Sequence, residues 1–123
     1  MNRASYVENA QGYILTAPLM KWFWDHYADP DVRTQPKASP LRASDLSGLP
    51  PAFIVTCQFD PLRDEGIAYA DALAAAGVPS RQVTARGHTH TSLTMVDVVV
   101  SGAAVRAEMA SALQGFFAAA TPS

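Results

Sequence analysis

Apolar residues in this chain gather into a few patterned stretches punctuated by proline, glycine and acids. Between Thr16 and Tyr27, Leu19, Met20, Phe23, Trp24 and Tyr27 recur at three- and four-residue spacings, with Trp22 to one side, which predicts a helix. Thr16 is its expected cap, and Pro18 sits in the first turn, where a missing N–H costs nothing. A helix this aromatic and this poor in charge is expected to be buried on more than one face. Ala52-Phe53-Ile54-Val55-Thr56-Cys57 is a continuous apolar run, entered through Pro50-Pro51 and left through Asp60-Pro61. Its length and lack of alternation predict a strand buried on both faces, as in a parallel sheet. From Arg63 to Ala76 the spacing is helical again, with Asp64 and Glu65 in the first turn and Ile67, Ala70, Leu73 and Ala74 on the apolar stripe. Gly77 and Pro79 stop it. Ser80 to Ala85 reads as a second, more polar strand, closed by a Gly87-His88-Thr89-His90 turn. A last helix, Ser101 to Ala119, carries Val105, Met109, Leu113, Phe116 and Phe117 on one side.

Strand, helix and strand in that order predict a right-handed parallel crossover, so the fold class is α/β. Residues 28–51 hold Pro30, Pro36, Pro40, Pro50 and Pro51, which exclude a continuous helix or a central strand. This is a crossing segment, to which Asp45-Leu46-Ser47-Gly48 adds a single turn. Residues 1–51 thus form a helix and a proline-rich crossing segment, and residues 52–123 a strand-helix-strand-helix unit. Two parallel strands do not make a stable open sheet by themselves, so the chain reads as the end of a larger α/β domain.

Composition narrows the function classes. The length of 123 residues fits one domain. Nine Lys+Arg against eleven Asp+Glu give a net charge of -2 with no cationic cluster, which argues against nucleic acid as a partner. No stretch approaches the roughly 18 apolar residues of a membrane helix, and the amino end lacks a signal-peptide centre. Charged residues make up 16%, low against the usual quarter, which predicts that part of the surface faces more protein. An open sheet edge predicts either a second copy of the chain or a complementing amino-terminal portion as that partner. The single cysteine, Cys57, excludes a disulfide framework and sets a cytoplasmic location as the default.

Reacting groups in an open α/β sheet gather beyond the carboxyl ends of the strands. Asp60 ends the first strand and the His88-Thr89-His90 turn ends the second, so an acid and an imidazole can meet there if the strands are neighbours. Such a pair supports a Ser-His-Asp triad, while Asp60 before proline is equally a turn residue. His88 and His90 could alternatively share a zinc ion, although no third ligand has convincing spacing.

Several segments carry a family resemblance: Ser39-Pro40-Leu41, Asp45-Leu46-Ser47-Gly48-Leu49-Pro50-Pro51, Phe59-Asp60-Pro61-Leu62-Arg63-Asp64-Glu65-Gly66 and Gly77-Val78-Pro79. Together with Glu8-Asn9-Ala10 and Trp22-Phe23-Trp24-Asp25-His26-Tyr27, they resemble the carboxyl-terminal part of hormone-sensitive-lipase-like esterases, which are α/β-hydrolases. The resemblance implies hydrolysis of small-molecule carboxylic esters without a cofactor, through a triad in the order Ser, Asp, His. It implies Asp60 as the acid and His90, at the end of a Gly-x-x-His turn, as the base. It also puts Tyr13, Met20, Trp22 and Phe23 at or near an acyl pocket selecting apolar chains. Where the family continues His-Gly-Phe, this chain reads His90-Thr91-Ser92. None of the nine serines lies in a Gly-x-Ser-x-Gly motif, and no His-Gly-Gly stretch supplies oxyanion donors. The chain as it stands is therefore expected to be inactive, or to serve as an interaction module.

Overall fold

A computed structural model describes residues 3–120. Helix α1 (Ala4–Glu8) and helix α2 (Ala17–Tyr27) precede the crossing segment. Strand β1 (Ala52–Phe59), helix α3 (Arg63–Ala75), strand β2 (Ser80–Thr89) and helix α4 (Ala103–Ala120) follow. The strands pair in parallel, as the strand-helix-strand order requires.

Local chemistry accounts for the element ends. The Thr16 hydroxyl accepts the Leu19 N–H at 3.3 Å and so caps α2. Helix α3 closes through Gly77, whose φ of 76° lets Val78 N–H reach back to the Leu73 carbonyl at 3.0 Å. In the crossing segment the Asp45 carboxylate accepts the Ser47 N–H at 2.7 Å, making the expected turn there, with Gly48 at φ 71°. This turn sets Leu46 into a core with Leu73 and Val78, packed by Ile54 and Tyr69.

Several expectations need correction. Helix α1 was absent from the hydrophobic pattern, because five residues offer too little periodicity to read. Strand β2 runs to Thr89, four residues past the predicted end, so His88 lies in the strand and not in a turn. Only Thr56 and Cys57 of β1 are buried: a cavity of about 430 Å³ lies between its start and α4, and one edge of the strand has no partner strand among the described residues. No α2 residue is fully buried, and Trp22, Phe23 and Tyr27 stand exposed, because no described element covers that face. In α4 the half-buried residues are Val105, Arg106, Glu108, Ala112 and Phe116, which leaves Met109, Leu113 and Phe117 on its exposed shoulder.

Contact between α3 and β1 depends on one missing side chain. A Cβ at Gly66 would stand 2.5 Å from Thr56 Cγ2. Thr56 cannot swing away freely, because its hydroxyl binds Gln82 Nε2 at 2.9 Å and Thr84 Oγ1 at 3.1 Å. Gly66→Ala is therefore expected to cost about 1–3 kcal/mol through overpacking, read from the urea midpoint. An unchanged midpoint would show that α3 can lift off the sheet without penalty.

Candidate active site

Asp60 follows β1 directly and is buried. Its Oδ1 accepts the Leu62 N–H at 2.8 Å, and its carbonyl accepts the Arg63 N–H at 3.1 Å, so the carboxylate is fixed by the turn that starts α3. Helix α1 holds the same turn from outside. The Ser5 hydroxyl donates to the Pro61 carbonyl at 2.6 Å, and Asn9 Nδ2 donates to the Asp60 carbonyl at 3.3 Å. Ser5 N–H donates to Asp64 Oδ2 at 2.8 Å.

An irregularity in β2 selects the histidine. From Ala52↔Ser80 to Cys57↔Ala85 the partners are 28 positions apart, but Phe59 pairs with Thr89, 30 positions on. Continued without a break, the first register would set His88 opposite Asp60. The bulge inserts two residues around Gly87, at φ 76° and tied by its N–H to Gln58 Oε1 at 2.8 Å. His90 then becomes Asp60's neighbour, with Nδ1 2.8 Å from Asp60 Oδ2. A carboxylate only accepts, so Nδ1 carries a proton, and in the neutral ring Nε2 is the nitrogen with the free lone pair. Among the described residues nothing bonds Nε2.

His90 and Asp60 line an open cavity of about 480 Å³ with Cys57, Gly66, Leu93 and Met109. No serine lines it. Burial, and then the Asp60 charge, push the Cys57 thiol up to about 11, which keeps it protonated and unreactive at neutral pH. Tyr13 stacks on Phe59 with ring centroids 5.1 Å apart. Met20, Trp22 and Phe23 lie on α2, outside the lining of this cavity, and Trp22 packs against Phe23 and His26. His88 points its Nδ1 at Ser92 Oγ instead, and no trio of potential metal ligands exists among the described residues. Thr91, where the resemblance has glycine, is the one described non-glycine residue with positive φ, at 61°.

These geometries sit in a known fold. Residues 1–94 match the family described as the alpha/beta hydrolase fold. The chain belongs to that family. It is 37% identical over 98 residues to the ethyl acetate hydrolase of Pseudomonas putida, covering 79% of this chain and 31% of the relative. It is 43% identical over 105 residues to the carboxylic ester hydrolase LipN of Mycobacterium tuberculosis, covering 84% and 28%. An esterase structure from Pyrobaculum calidifontis superposes with a TM-score of 0.87 at 36% identity, over 94% of this chain and 38% of that one. The α/β-hydrolase chain thus spans about a third of the length of the curated relatives it matches.

Ser5 and Asn9 were given no role by the sequence. Glu8-Asn9-Ala10 contributed to the resemblance, but the bonds join positions 51 to 59 residues apart and leave no local pattern. Ser5→Ala removes the donor to a buried carbonyl and is expected to cost about 1–3 kcal/mol, measured by urea unfolding. Acid should loosen the neighbouring bond from Ser5 N–H to Asp64. Burial alone would raise the Asp64 carboxyl, but the Ser5 N–H and the Arg63 guanidinium hold it below its ordinary 3.8. A carboxyl depressed by folding stabilises the fold above its unfolded pKa, and that contribution fades as pH falls through the lower folded value. Hydrogen exchange of the Ser5 amide should therefore accelerate, relative to the core amides, only below about pH 4.

Proposed function

We propose that the protein is a serine carboxylic-ester hydrolase in which Asp60 is the acid and His90 the base. The observation that carries this reading is the 2.8 Å contact from His90 Nδ1 to Asp60 Oδ2, beyond the carboxyl ends of adjacent parallel strands. His90 Nε2 takes the proton of a serine hydroxyl as that oxygen attacks the ester carbonyl, and returns it to the departing alkoxide. Asp60 holds the ring and stabilises its cationic form. The serine and its oxyanion donors belong to chain outside these 123 residues, so this chain by itself hydrolyses nothing through a triad. Short- to medium-chain esters are the proposed substrates, in keeping with the ethyl acetate hydrolase among the relatives. None of Tyr13, Met20, Trp22 and Phe23 lines the cavity at His90 among the described residues, and their proposed place is the acyl side of the pocket in the complete enzyme. The apolar rings of Trp22 and Phe23, exposed on α2, support that role.

A chimera tests the reading. The carboxyl-terminal part of the Pseudomonas putida ethyl acetate hydrolase is replaced by this chain, and p-nitrophenyl acetate hydrolysis is followed. Activity that His90→Ala abolishes supports the assignment. Activity that survives His90→Ala sinks it. A second reading rests on the far edge of β1, which pairs with no strand among the described residues: an interaction module that dimerises through that edge. Sedimentation of the chain as a compact monomer would exclude it.

A further inference from the structure

His88 and Ser92 flank the His90 turn and take no part in the proposed chemistry. Both are buried, with His88 Nδ1 3.1 Å from Ser92 Oγ. His88 stands on β2 and Ser92 begins a short 3-10 turn, Ser92–Thr94, so this bond closes the base of the loop that displays His90. The segment between them is unfavourable in itself. Thr91 is β-branched and holds φ 61°, a region in which its Cβ crowds the following carbonyl. Within the loop, Thr91 Oγ1 donates to the His90 carbonyl at 2.7 Å, and the Thr91 carbonyl accepts from Thr94 N and Thr94 Oγ1. Those bonds shape the turn without attaching it to the sheet.

The attachment is reinforced from α4. A Cβ at Gly102, in the turn that leads into α4, would lie 3.4 Å from His88 Cε1, so the space between this backbone and the His88 ring is no more than a methyl group would fill. Arg106 Nη1 donates to the carbonyls of Leu93, at 3.3 Å, and Val99, at 3.2 Å, which ties the far side of the turn to α4. We infer that the His88–Ser92 pair is a positioning clasp, which holds the strained Thr91 turn closed and thereby keeps His90 Nδ1 against Asp60. The inference rests on the proposed Asp60–His90 pairing and adds why the bulged strand carries a second, buried histidine. Strain at such a turn persists only when the surroundings over-determine it, and here the clasp is the buried bond that spans the exposed Thr91.

The two residues and the strain should therefore be coupled. Solution NMR of the 15N-labelled chain reads this through the His90 ring nitrogens and the downfield Nδ1 proton. In the native chain His90 should be the Nδ1–H tautomer with that proton visible. Ser92→Ala should lose the resonance and mix the tautomers, while amide signals of α3 and β1 stay in place. The double variant Thr91→Gly/Ser92→Ala should regain both, because glycine adopts the left-handed turn without a clasp. His88→Asn, which keeps a hydrogen-bonding nitrogen near the Nδ1 position, should retain most of the signal. An intact resonance in Ser92→Ala overturns the clasp alone, whereas its absence from the native chain overturns the Asp60–His90 pairing and the clasp with it. If Ser92→Ala fails to fold, the double variant decides: a folded chain with the resonance supports coupling, and any other result overturns it.

Discussion

Asp60→Asn is expected to lower kcat of the chimeric esterase by about 10,000-fold with little change in KM, the loss typical of an acid whose replacement inverts its histidine. Geometry explains why so small a change does so much. Asp60 has two oxygens, each with its own donor: Oδ1 takes the Leu62 N–H at 2.8 Å and Oδ2 faces His90 Nδ1 at 2.8 Å. An asparagine keeps one oxygen, and the fixed backbone donor at Leu62 claims it. The amide NH2 then points at Nδ1, which has to become an acceptor, so the ring proton moves to Nε2. A histidine protonated at Nε2 cannot accept the serine proton. The fold is untouched by this swap, so circular dichroism and the urea midpoint should stay at the native values. A loss of less than tenfold would mean that His90 does not depend on Asp60 for its tautomer.

Leu73→Ala is expected to carry the largest stability penalty, about 2–5 kcal/mol, measured as a fall in the urea midpoint at unchanged m. Leu73 is 2% exposed and stands where three segments meet: Leu46 from the crossing segment, Val78 after α3, and Ile54 on β1. Its backbone carbonyl also accepts the Val78 N–H at 3.0 Å, so the chain on both sides is pinned and cannot collapse into the space left behind. A domain's net stability is only about 5–15 kcal/mol, so this one truncation removes a large share of it. The loss should propagate to the site, since α3 begins at the turn that holds Asp60. A penalty under about 1 kcal/mol would show that Leu46 and Val78 refill the cavity.

Much of this was readable from the chain because its causes are local. Thr16 before Ala17-Pro18, Gly77 at the end of α3, and the apolar run at the start of β1 each act within a turn or a strand, and each element stands where its residues predict. The strand-helix-strand order dictates a parallel pair, which puts Asp60 and the later histidines on one edge of the sheet. The burial of α2 was not legible, since an apolar stripe says that a face seeks a partner and not whether these 123 residues contain one. Helix α1 and the Asn9 that follows it were equally silent, because their bonds reach residues 60–64, far along the chain.

The sequence by itself determined the family, the α/β order and the place of Asp60 just beyond the first strand, through residues whose effects are exerted on their neighbours. The resemblance named His90, but what brings that histidine to Asp60 in place of His88 belonged to the tertiary structure. Spacing along the chain offers both, and an even register would bring His88 to Asp60. A bulge around Gly87, stabilised by a side chain from the opposite strand, moves the pairing from 28 to 30 positions and brings His90 in its place. Register is a property of two strands together, so neither strand's sequence states it alone.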